Sequence, residues 1–226
     1  MSRLNRPVQK STNPSKKFIE WKSKDKCFSY YDREKQENVS IELPLKFIFI
    51  EHYATIGGWS DSSQSRIFSN EVYSIGSEEL AVKSFKGGEI AKGIYKDVKH
   101  QISSAGGVYH RSIYVMLENG ELVNIKLKGS AVSRYSDFYQ DHHQLIDQNW
   151  IEVNSAEDGK KGAVSYSMPV FTIGEVVTAK ENKLVDKIIP SLQDYVDTYK
   201  AKGVDVVEEI EVEADVPSGK IESLPF

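Results

Sequence analysis

Alternation of apolar and polar positions is sharpest between Tyr109 and Gly129, where two strand-like runs flank Asn119-Gly120. Asn-Gly between alternating runs is a strong hairpin signal. A two-residue loop would set Leu117 opposite Leu122 and place Ile113, Val115 and Leu117 on one face with Asn124 and Lys126. A three-residue loop, Glu118-Asn119-Gly120 with Gly120 left-handed, sets Leu117 opposite Glu121 instead. Ile113, Val115 and Leu117 then join Val123, Ile125 and Leu127 on a wholly apolar face. Burying a clean face fixes register, so the three-residue loop is expected. The other face carries His110, Ser112, Tyr114, Met116, Leu122, Asn124, Lys126 and Lys128. Such a mixture could stack bases and neutralise phosphates, or lie solvated or under a helix.

The same patterning predicts the remaining elements. Phe18–Trp21 begins a strand, and Lys22, Lys24 and Lys26 would project to one side if the chain stayed extended. Residues 27–31 and 39–43 alternate like strands, and 45–56 is apolar on both faces, the mark of a buried strand. A polar glycine loop then carries Trp59, and short strands follow at 66–73 and 79–85. Ile90, Ala91, Ile94, Tyr95, Val98 and Ile102 recur at helical spacing, and a second helix opens at Ser130. Strand character returns at 150–153, 163–166 and 170–173, around a charged turn bearing Lys160 and Lys161. Residues 180–201 form a helix or a pair broken at Pro190. The fold expected is mostly β with helical insertions: a small barrel of the oligonucleotide-binding type plus amphipathic helices, or a mixed α+β sheet.

A chain of 226 residues, 39% hydrophobic, supports one core. Residues 1–17 read as a flexible basic arm, 18–202 as one nucleic-acid-binding domain ending in a helical segment, and 203–226 as a disordered acidic interaction tail. The net charge of −4 hides a polarity: residues 1–26 carry +6, and residues 203–226 carry −6. Cys27 is the sole cysteine and cannot form an internal disulfide. No run is apolar enough for a bilayer and no signal peptide is legible, so a cytoplasmic protein without a membrane partner is expected.

Catalytic motifs are missing. The P-loop spacing, the paired-histidine zinc helix and the nucleophile elbow do not occur. Asp137, Asp141, His142 and His143 are the one cluster with metal-ligating character, and adjacent helical histidines do not converge. A non-enzymatic protein without cofactor or metal is expected; a structural or assembly role is the alternative, and a metal-dependent nuclease stands third. The residues suited to DNA are Lys22, Lys24, Lys26, Trp59, Tyr109, Tyr114, Lys126, Lys128, Lys160 and Lys161, combining aromatic faces with lysine charge.

The acidic segment Glu208–Asp215, followed by SGKIESLPF and terminal Pro225-Phe226, resembles the tails of bacterial and phage single-stranded DNA-binding proteins. The resemblance implies an oligonucleotide-binding barrel that coats and protects single-stranded DNA in replication or recombination, and a tail that recruits replication or recombination proteins. It further implies that Leu224, Pro225 and Phe226 dock in an apolar pocket while Glu208, Glu209, Glu211, Glu213, Asp215 and Glu222 meet a basic rim. In such proteins the tail also competes with DNA for the basic surface. A phage-encoded chain would act in the host cytoplasm, and a homo-oligomer is compatible with this reading. Lys220 among the acids, and Ser223-Leu224 before the terminal pair, depart from the bacterial pattern.

Overall fold

The computed structural model describes residues 13–202. Strands β1 (Lys17–Lys22), β2 (Cys27–Asp32) and β3 (Glu37–Ile41) lead into β4 (Leu45–Ser60), followed by β5 (Ser65–Ser69), β6 (Leu80–Ser84) and β7 (Gly88–Gly93). Helix α1 (Tyr95–Ser104) precedes the hairpin β8 (Gly107–Leu117) and β9 (Leu122–Lys128), and helix α2 (Ser130–His142) follows it. The hairpin β10 (Asn149–Lys161) and β11 (Val164–Val176) then runs into α3 (Ala179–Lys202).

The hairpin register follows from burial of its apolar face. Val115 pairs with Val123 and Ile113 with Ile125, so Leu117 faces Glu121 across a three-residue loop in which Gly120 has φ 80°. Leu117 N–H donates to the Glu121 carbonyl and Gly120 N–H to the Leu117 carbonyl. Ile113, Val115, Val123, Ile125 and Leu127 are completely buried in the main core. Each such side chain contributes about 1.5–3 kcal/mol relative to an exposed position.

The expected oligonucleotide-binding barrel is not formed. Pairing runs β3-β2-β1-β9-β8-β4-β5-β6-β7, an open mixed sheet with β1 and β9 parallel, and β10–β11 branch from β4. The reason lies in β4. Its first residues pair with β10, its last with β5, and β8 follows it across a bulge between Phe49 and Glu51. The sheet therefore divides into wings instead of curling on itself. Helices cover both faces of its centre: α2 places Val132, Tyr135 and Phe138 against Ile113 and Val115, while α3 places Leu192, Tyr195 and Val196 against Tyr53, Phe68 and Tyr114. Adjacent residues of a strand point to opposite faces, so these helices sandwich the sheet.

Other expectations shift with the pairing. Residues 88–93, expected to open a helix, form an edge strand between Gly88 and Gly93 (φ 75° and 147°), and the helix starts at Tyr95. Trp59 lies in β4, paired with Arg66, not on a loop. Of the GKKG segment expected as a turn, residues 159–161 extend β10. Helix α3 runs through Pro190, an exposed position where water can satisfy the carbonyl that Pro leaves without a donor.

Candidate nucleic-acid interface

Tyr114 is not a stacking platform. It has no exposed surface beneath α3, and its hydroxyl donates to Glu71 Oε2 at 2.9 Å while accepting from Asn13 Nδ2 at 3.3 Å. Ser112 Oγ donates to Glu71 Oε1 at 2.5 Å and accepts from Asn124 Nδ2 at 2.7 Å. Burial pushes the Glu71 carboxyl above its ordinary value, against the opposing hold of Ser112, Lys126 and Tyr114. The Tyr114 hydroxyl is driven well above its own range, first by burial and then by Glu71. Asn13 and buried Ser15 also show that the end of the expected arm is packed on the domain.

Nearer the sheet's end, the same face opens to solvent. Lys126 on β9 pairs with Glu20 on β1, and this parallel register carried two residues on brings Lys22 beside Lys128. Lys128 pairs with His110 on β8, Val108 with Gly57 on β4, and Trp59 with Arg66 on β5. Alternation therefore places Lys22, Lys126, Lys128, Val108, Trp59 and Arg66 on one face, in a row across five strands. Val108 and Trp59, 46% and 41% exposed, are diagonal neighbours in that row. Lys126 Nζ lies 5.2 Å from the centre of the Phe18 ring. Burial would raise the Glu20 carboxyl, but Lys22 and Lys128 overrule it and hold the group below its ordinary value.

Glycines position this row. His110 Nδ1–H donates to the Val108 carbonyl at 2.9 Å, and its ring lies over Gly57, where a Cβ would come within 3.1 Å of Cε1. At Gly58 and Gly106 the β4 backbone and the turn before β8 approach so closely that a side chain on either would meet backbone oxygen. Both have positive φ, a conformation that glycine adopts without steric cost, and Trp59 follows directly at this crossing.

The remaining lysines divide. Lys24 and Lys26 do not extend the β1 spacing, because the chain turns after Lys22, with Asp25 N–H donating to the Lys22 carbonyl and Lys26 at φ 55°. This turn packs on the long hairpin: Ser23 Oγ and Trp21 Nε1 both donate to the Ser167 carbonyl, and Lys26 Nζ is 2.7 Å from Asp158. Exposed Lys160 and Lys161 lie just beyond Asp158, so these lysines form a second group adjoining Lys22. Tyr109 falls on the opposite face, half-buried between the two cores.

The two histidines at the end of α2 bond to its own backbone, while Asp137 and Asp141 are exposed. His142 Nδ1–H donates to the Phe138 carbonyl at 3.0 Å and its ring stacks on Phe138; His143 Nδ1–H donates to the Gln140 carbonyl at 3.0 Å. Among the described residues, no three acidic, histidine or cysteine side chains gather as a metal site. Nor is any described helix long and apolar enough to cross a membrane. The proposed tail contacts, Glu208 to Phe226, lie outside the described residues.

The sequence reading missed Phe18, Arg66 and Val108. Val108 was detectable as the position alternating with His110 after a glycine pair; Phe18 depends on a parallel pairing that has no local signature. In comparisons with known proteins, no family model, curated protein or solved structure matched the chain.

Proposed function

We propose that the protein binds single-stranded DNA without a sequence code, along the row from Arg66 and Trp59 to Lys22 and on to the lysine turn. The observation that carries this reading is the exposure of Trp59 and Val108 beside Lys128 on one sheet face. An aromatic face stacks on any base, and lysines spaced across strands neutralise successive phosphates. The tail's resemblance to those of single-stranded DNA-binding proteins supports the same reading and adds recruitment of replication or recombination proteins.

Anisotropy of a labelled oligonucleotide, titrated with salt, tests it. Binding that weakens steeply with salt is expected, and Trp59→Ala costs about 1–3 kcal/mol of affinity. No binding at low salt, with or without residues 203–226, sinks the reading. A non-enzymatic assembly role is the second reading, favoured by the exposed Val176, Leu184 and Ile189 in and beside α3. In that case the chain forms stable complexes but ignores oligonucleotides.

A further inference from the structure

Across the sheet rim from this row lies a hollow of about 500 Å³, bordered by Tyr95, Tyr109, Gly129, Val132 and Ser133. Its volume is that of a small-molecule pocket, about 300–1,000 Å³. The Tyr95 and Tyr109 rings touch, with centroids 6.0 Å apart and planes inclined at 46°. They form one bent aromatic wall, not a slot, so a single flat ring can lie against it. Next to that wall, the Arg111 guanidinium carbon stands 5.9 Å from the centre of the Tyr109 ring. Its Nε is buried and has no hydrogen-bond partner among the described residues. Burial, reinforced by Arg111, pushes the neighbouring His52 down to about 4, so His52 adds no second charge at neutral pH.

Two further features point to an anionic, ring-bearing ligand. Helix α2 starts at Gly129 on the border of the hollow with no side-chain cap and no acidic residue in its first turn, leaving its positive end uncompensated. Gly107 and Gly129 also directly adjoin Val108 and Lys128 of the exposed row. Val108 and Gly107 themselves line the hollow, so the row and the hollow share a border.

We infer that this hollow receives one nucleobase of the strand bound along the row, stacked on the Tyr95–Tyr109 wall, with its phosphate drawn to Arg111 and the start of α2. The inference rests on the proposed function and deepens it: one base per bound protein leaves the common stack and fixes the strand's phase. The Ser133 hydroxyl, exposed on α2, is placed to meet the base edge.

The test uses the full chain and a set of short oligothymidylates, each carrying a fluorescent purine analogue at a different position. One position, or two adjacent ones, should change emission sharply while the others change alike. Ser133→Phe fills the hollow from an exposed position without removing a core contact; it should abolish that position dependence and weaken binding about tenfold. Tyr95→Ala should do the same, and Tyr95→Phe should retain both. If the wild type binds with strong salt dependence but the emission profile is flat, or if folded Ser133→Phe keeps the profile, the hollow is not a base site although the row still binds DNA. If the wild type binds none of the oligonucleotides, the proposed function and the base site fall together.

Discussion

Tyr114 and Trp59 lie on the same face of the sheet, yet their surroundings give them different work. Tyr114→Phe removes a donor to the partly buried Glu71 carboxylate and should lower unfolding free energy by about 1–3 kcal/mol, leaving oligonucleotide affinity unchanged. Trp59→Ala should show the reverse pattern, weaker binding with little change in the denaturation midpoint. The histidines provide a pH-dependent check. Burial pushes both His52 and His110 down to about 4. Between about pH 6.5 and 4 the unfolded chain takes up protons that the native chain refuses, so stability falls as pH drops. The loss is on the order of 2–3 kcal/mol for the His110 ring and smaller for His52, which solvent partly screens. Glu71, with a raised carboxyl value, opposes this slope, because its native form prefers the proton. Urea unfolding at neutral, mildly acid and acid pH should show a net decline, and His52→Asn should flatten it. An unchanged slope in that variant would mean that the ring is already solvated.

Among the elements, the β8–β9 hairpin was the most legible because local turn chemistry and burial of one clean face agree. Gly120 enforces that agreement at φ 80°, and Gly120→Ala should cost about 1–2 kcal/mol by equilibrium unfolding while binding stays intact. Deleting Asn119 should do far more. A two-residue loop rotates Val123, Ile125 and Leu127 out of the core, and loss of the cooperative transition is expected. Legibility stopped where a strand's second face depends on distant chain. The lysine and tyrosine side of the hairpin looks amphipathic in sequence, but α3, some eighty residues on, covers Tyr114 and Met116. Gly88–Gly93 reads as helix because Ile90 and Ala91 suit that period; pairing of Ala91 with Val82 decides otherwise. The lysines of β1 and β9 align only through a parallel pairing between residues about a hundred positions apart. Thus Lys22, Lys126, Lys128 and Trp59 were legible as residue types, while their alignment required the fold.

At the scale of the molecule, the described residues form an open sheet with a helix on each side that they leave uncovered at one end of one face, and there Lys22, Lys126, Lys128 and Arg66 assemble in a chain whose net charge is −4. Overall charge therefore opposes an anionic partner while local charge favours one, and residues 203–226 supply the difference. Removing residues 203–226 changes the net charge to +2 without touching the row. Binding should tighten at low salt, where the Debye length is long, and converge with that of the full chain as salt screens the tail. The salt slope itself reports phosphate contacts, about 0.7 log units of affinity per contact on a single strand for each tenfold change in salt. Lys128→Ala should reduce the slope by roughly that amount in both the full and shortened chains. Lys161→Ala, at the hairpin tip, should reduce it only if the strand continues past the β1–β2 turn. If Lys128→Ala leaves the slope intact while Lys161→Ala lowers it, the strand follows the long hairpin instead, and Trp59 has no part in holding it.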